Sequence, residues 1–196
     1  MSDAIRDTDT GIGSKPDKRS AILDAAATQF LTYGFRRTNV GDIADEAKLA
    51  KGTIYLHFQS KEDLFDALAR HLMDRFLVTG RTALHGEGPP ARRLTAYLDA
   101  VIGEPGRLLA ASPHAAELME SKQAHIAEQL RRYDLTIQRD VRMVLNAAGL
   151  PESAADLVIA AAHGQKKLSR DPQAYRRQLD LHLFFLLEGL TRRPRP

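Results

Sequence analysis

Lys51-Gly52-Thr53-Ile54-Tyr55-Leu56-His57-Phe58, with Ser60-Lys61-Glu62-Asp63-Leu64 close behind, is the stretch from which the fold is read. It gathers hydrogen-bond donors, a basic residue and two aromatic rings into about two helical turns. A new helix then begins at once, because Ser60 is an N-cap residue with Asp63 three positions on. So polar a cluster makes a poor core element, but it suits a short helix that enters a DNA groove.

Upstream of it, Ile22, Ala26, Phe30 and Tyr33 recur at helical spacing, and a first helix is expected over about 17–33. Gly34 ends it, since glycine takes the left-handed conformation after a helix without penalty. A second helix starts at Thr38-Asn39, with Asp42 placed for a capping box and Ile43, Ala44 and Ala47 on its buried side. The turn Lys48-Leu49-Ala50 leads into the third helix, Lys51 to Phe58. Residues 1–16 are mostly Asp, Thr, Gly and Ser and read as a flexible arm.

Downstream, Leu64, Leu68, Leu72 and Phe76 follow at four-residue steps, so the fourth helix extends beyond the head as a connecting rod. Gly80 to Pro90 reads as a loop. Further helices are expected at 91–102, 107–111, 113–148 (with 121–124 as a place of interruption), 153–167 and 172–191. The Gly149-Leu150-Pro151 string stops the longest of these. No alternating strand pattern, repeat or low-complexity tract occurs. The fold class is all-α, with a helix-turn-helix head over 17–65 and a helical body over 66–196.

Composition sets limits. The 196 residues contain no cysteine, which excludes disulfides and cysteine-ligated zinc and fits a reducing cytosol. No apolar run approaches the roughly 20 residues needed to span a bilayer. The net charge of +3 permits nucleic-acid binding without proving it. No Gly-rich phosphate cradle, nucleophile elbow or paired-carboxylate arrangement is present. The expectation is no enzyme, no cofactor and no metal. His114, Glu117, Glu120 and His125 are the one weak exception, and a helical enzyme using the His114 and His125 region is an alternative reading.

The string from Ile22 to Phe65 resembles the N-terminal DNA-binding domain of the TetR family of transcriptional repressors. The matching pieces are Phe30-x-x-Tyr-Gly-Phe, Thr38-x-Val-x-x-Ile-Ala, and Lys51-Gly-Thr-Ile-Tyr-x-His-Phe-x-Ser-Lys-Glu-x-Leu64. The resemblance implies a third helix lying in the major groove. Lys51 then reaches a guanine edge or a phosphate, Thr53 and Tyr55 present hydroxyls, His57 donates to a phosphate, and Gly52 permits close approach. Thr38 or Asn39, Lys48 and Lys61 are expected at phosphates. Two positions depart from the family pattern: Lys48 stands where glycine is usual, and Ala50 where a capping serine is usual. The first costs roughly 1 kcal/mol or more, the second about 0.5–2 kcal/mol. A helical sensor or adaptor that has lost operator binding is the alternative these departures suggest.

The same resemblance implies a homodimer on a near-palindromic operator. The last two helices, with Leu157, Ala161, Leu181, Phe184, Phe185 and Leu187, would form its interface. It also implies a small-molecule effector pocket in the body. Candidate lining residues are Phe76, Tyr97, Val101, Leu108, His114, Leu118, Met119, His125 and Tyr133. The effector would push on the fourth helix at Leu68, Leu72 and Phe76.

Overall fold

The computed structural model describes residues 17–120, 125–169 and 171–192, and these are helical almost throughout. The expected arm and the interruption at 121–124 lie outside the described residues, as do the side chains of Met119 and His125.

Three short helices form the head: α1 (Lys18–Tyr33), α2 (Val40–Glu46) and α3 (Lys51–His57). Their ends follow from local chemistry. Asp17 caps α1, and Gly34 closes it at φ 84°. Asn39 and Asp42 cap α2 reciprocally, a complete capping box. At the other end of α2, the Leu49 N–H donates to the Ala44 carbonyl and the Lys48 N–H to that of Asp45. That is a Schellman stop, which requires a left-handed residue, and Lys48 takes the conformation at φ 55°. Ala50 makes no side-chain cap for α3. Ile22, Leu23, Ala26, Phe30, Ile43, Ile54 and Phe58 meet in the head core. Tyr33, read as the last member of the α1 stripe, is exposed instead. It is the last residue of α1 and lies beyond the part of the helix that the head core covers.

α4 (Lys61–Leu84) is capped by Ser60, whose oxygen accepts from the Asp63 N–H. It runs through Gly80 without a break, so the expected loop shrinks to the few residues before Pro90. Its first third, Leu64, Ala67 and Leu68, belongs to the head core. Its last third packs with the body core, against α5 (Pro90–Leu98) and α8 (His125–Ala147). α4 therefore joins the two units.

The body holds one departure from the expected helices. α5 does not stop before α6 (Glu104–Ala110); a π-helical turn over Asp99–Gly103 carries the chain directly between them. Pro105 explains it. Proline has no N–H for the carbonyl four residues back, that of Val101, and the Tyr133 hydroxyl donates to that carbonyl at 2.8 Å. The turn also places Asp99 inside the body, 0% exposed, where Arg107 (2.8 Å) and Arg176 donate to it. α7 (Ala115–Glu120) precedes α8, and α9 (Ala155–Leu168) and α10 (Pro172–Thr191) complete the body.

α10 buries one line of residues, Tyr175, Leu179, Leu183 and Leu187, at four-residue steps. Its other faces stay apolar and exposed at Leu181, Phe184 and Phe185.

Candidate nucleic-acid interface and body cavity

A seven-residue helix can bury only one line of side chains. In α3 that line is Ile54, continued by Phe58 just past the helix end. At 100° per residue, the side opposite Ile54 carries Gly52 and Leu56, flanked by Thr53 and Tyr55. Exposure agrees: Lys51, Gly52, Tyr55, Leu56 and His57 are exposed and Thr53 is half-buried. Tyr55 is 49% exposed and Leu56 84%. A Cβ on Gly52 would meet nothing within 4 Å. Glycine inside a helix costs about 0.5–1 kcal/mol relative to alanine, and no contact among the described residues demands it here.

The other expected contact residues are placed differently. Thr38 is buried, and its hydroxyl donates to the Gly34 carbonyl at 2.8 Å with the Gln29 carbonyl also in reach at 3.2 Å. It ties α1 to the loop before α2 and offers nothing outward. The Lys61 ammonium donates to the carbonyls of Phe35 (2.9 Å) and Thr38 (3.0 Å) and lies over the Phe35 ring. It is a strut of the head. Asn39 uses its Oδ1 on the α2 N–H groups. Lys48 is exposed in the turn before α3. Leu56 was missed in the sequence because only its position on the helical wheel, not its residue type, marks it as outward.

The body holds an apolar cavity of about 180 Å³. Its walls come from five helices: Phe30 and Leu31 of α1, Leu68, Leu72 and Phe76 of α4, Leu108 of α6, Leu118 of α7, and Leu130 and Tyr133 of α8. Of the pocket residues read from the sequence, Phe76, Leu108, Leu118 and Tyr133 line it. Tyr97 and Val101 do not. Both are buried in the body core, where the Tyr97 hydroxyl donates to Asp140 at 3.1 Å. Burial foremost, and then that carboxylate, push the Tyr97 phenol well above its ordinary range.

His114 lies elsewhere, in the seam between body and head. Its ring packs under Gly34, where an added Cβ would come within 3.0 Å of it. Around it, the Ser112 hydroxyl donates to the Leu31 carbonyl at 2.6 Å, and Glu117 accepts from the Arg36 N–H at 2.5 Å. The seam thus clamps the end of α1. Among the described residues no cluster of three or more His, Asp or Glu could hold a metal, and no helix is long and apolar enough to cross a membrane.

A short displayed helix on a three-helix head, carried by a long helix from an all-helical body, defines a helix-turn-helix protein with a separate helical unit. Residues 22–68 match the family model described as bacterial regulatory proteins, tetR family. The match covers the head, which is similar to the DNA-binding domain of that family.

Relatives and structures agree. The Mycobacterium tuberculosis HTH-type transcriptional repressor KstR2 is 37% identical over 82 residues, covering 42% of this chain and 41% of that protein. The Bacillus subtilis fatty acid metabolism regulator protein is 38% identical over 63 residues, 32% of each chain. The chain thus spans about two fifths or less of these relatives' length in the alignments. Among solved structures, a transcriptional regulator from Rhodococcus sp. Rha1 superposes with a TM-score of 0.71 at 23% identity, covering 91% of this chain and 100% of the other. The fatty acid degradation regulator FadR from Bacillus halodurans gives 0.63 at 23% identity, covering 91% and 99%. At that identity the likeness concerns the fold, and it extends over the body as well as the head.

Proposed function

We propose that the chain is a cytoplasmic, homodimeric transcriptional repressor that binds a near-palindromic operator and is released from it by a small-molecule effector. The observation that carries this is the outward face of α3. Among the described residues, no side-chain hydrogen bond or ion pair engages Lys51, Thr53, Tyr55, Leu56 or His57. Lys51 and the hydroxyls supply polar readout, while Leu56 offers an apolar surface suited to a thymine methyl. Lys48 and Asn39 flank the helix on the phosphate side. Thr38 and Lys61 act within the head, holding α3 at its angle.

Dimerisation follows from α9 and α10. Leu157, Leu181, Phe184 and Phe185 are exposed together with the half-buried Ala161, and a patch of large apolar side chains on helices this long suits a second copy. Leu187 is excluded, since it is buried in its own subunit's core. Two-fold symmetry would set the two α3 helices about 34–36 Å apart, in successive major grooves.

Release would work through α4. An effector in the cavity presses on Leu68, Leu72 and Phe76, between the part of α4 in the head and the part anchored in the body. Changing the spacing of the heads removes simultaneous binding of both half-sites, and avidity collapses. The position of His114, packed under Gly34 in the seam rather than open to a substrate, favours a regulator over an enzyme.

The test is selection of bound duplexes from a random pool. A repeated inverted half-site with centres one helical turn apart is expected. A pool that stays random at about 0.1 M salt, where nonspecific phosphate contacts are weakened, would overturn the reading.

A further inference from the structure

We infer that the effector is an amphiphile with a hydrocarbon body of on the order of six to eight carbons and a single polar end, a chemistry set by two adjoining hollows. This deepens the effector reading above and rests on it. The cavity holds about 180 Å³, somewhat more than the roughly 150 Å³ apolar cavities that stay dry and take up benzene. Among the described residues every wall residue is apolar except Tyr133, and the Tyr133 hydroxyl is already donated to the Val101 carbonyl. A polar group lodged there would lose its hydration and find no partner, so the inner end of the ligand must be hydrocarbon.

The second hollow has polar groups at its rim over a largely apolar lining. It shares Met73 and Tyr133 with the cavity and opens between α4 and α8, beside Arg70, Asp74, Gln129 and Arg132. Arg132 is held by Glu128 at 2.8 Å, whereas Arg70 has no ion pair among the described residues. The Gln129 Oε1 is buried and without a hydrogen-bond partner. A carboxylate would pair with Arg70, and a hydroxyl would donate to Gln129; both place one polar group at this rim and nowhere deeper. The ligand therefore lies along α4, its body against Leu72 and its end over Arg70. Since Phe30 and Leu31 also line the cavity, its hydrocarbon body contacts the head itself.

The experiment titrates the full-length chain, without DNA, with octanoate, 1-octanol and 1,8-octanediol, read by calorimetry and by the shift in thermal midpoint. Saturable one-to-one binding of octanol or octanoate is expected. The diol should bind about tenfold or more weakly, because its second hydroxyl would be buried without a partner. Ala69→Phe and, independently, Leu108→Phe fill the cavity and should abolish binding while helix content stays unchanged by circular dichroism. Arg70→Gln separates the two sources of the polar end. It weakens octanoate severalfold if the acid is the natural type and leaves octanol untouched. Failure of both monofunctional probes, equal affinity for the diol, or full binding by both filled variants would overturn the inference. Binding that leaves operator affinity unchanged would uphold the ligand chemistry and bring down the release mechanism instead.

Discussion

Arg81 of α4 donates from its Nε to the carboxylate of Asp140 on α8 at 2.7 Å, and its Nη2 reaches the second oxygen at 3.3 Å. Asp140 is almost wholly buried and also accepts from the Tyr97 hydroxyl. This two-pronged pair anchors the far end of α4 in the body, while Leu64 and Leu68 hold its near end in the head. The cavity lies between the two anchors. The proposed release needs such a fixed end, so that pressure on the middle of α4 would move the head rather than the body.

Arg81→Met should therefore destabilise the fold, by up to about 3–5 kcal/mol, since it leaves a buried carboxylate with only the more distant Arg139, at 3.6 Å, as its cation. Adding Asp140→Leu should recover much of that loss, because no charge then remains buried. Chemical denaturation of the two variants checks this. If the double variant is no better than the single, the pair is not the anchor described.

The turn before α3 gives a gain rather than a loss. Lys48 is the one non-glycine residue with positive φ among the described residues, and Ala50 leaves the α3 N-terminus without a side-chain cap. Lys48→Gly should stabilise the chain by about 1 kcal/mol, and Ala50→Ser by about 0.5–2 kcal/mol. Both are read from denaturation midpoints. Operator affinity should respond differently: Lys48→Gly weakens it and flattens its salt dependence if Lys48 lies at a phosphate.

These features divide by how far along the chain their cause reaches. The head was legible because its signals are local: Asn39 with Asp42, Ser60 with Asp63, Gly34 after Phe30, and the Lys51–Phe58 string itself. The oddity at Lys48 could be read too, as a wrong residue in a known turn. The π turn was hidden although Pro105 was visible, since a proline near a helix start is ordinary and only the packed body shows which carbonyl it orphans. Nothing in the local spacing singles out Asp140 and Asp99, whose partners Arg81 and Arg176 come from 59 and 77 residues away. The cavity walls were half legible. Phe76, Leu108, Leu118 and Tyr133 sit on body helices, but Phe30 and Leu31 belong to a head helix that no sequence spacing ties to a body pocket.

Leu56 should read a thymine. Leu56→Ala would lower affinity for the selected operator by about 0.8 kcal/mol for each methylene no longer packed on the base, roughly fourfold. Replacing the contacted thymine by uracil should cost the original chain a similar factor and cost the variant almost nothing. Equal uracil sensitivity in both would remove Leu56 from the readout.

The exposed edge of α10 makes the assembly testable. Phe185 is 64% exposed, and its ring stacks edge-on against Phe184. Phe185→Glu would put a charge into a buried apolar contact in a dimer and cost little in a monomer. Sedimentation should then show a folded single chain. Operator affinity should fall on the order of 10²–10⁴-fold as the second half-site is lost. A variant that still sediments as a dimer would move the interface elsewhere.

Mild acid should weaken the fold through His163. This residue, on the surface of α9, is held below its ordinary value of 6.5, first by partial desolvation of its ring and then by Lys166 and Lys167, with the nearby Asp134 opposing them. The folded chain therefore resists a proton that the unfolded chain accepts. As pH drops below about 6.5, unfolding gains that proton and stability declines, until the folded value is passed and the loss levels off. Glu128 acts in a separate window. Its hydrogen bonds from Arg131 and Arg132 hold it down at about 2, so its contribution is present above the ordinary carboxylate value of 4.5 and is lost only between there and about 2. Thermal midpoints measured from pH 7.5 to 5 should thus decline in the original chain and decline less in His163→Gln. A parallel decline in both would assign the acid sensitivity to another group.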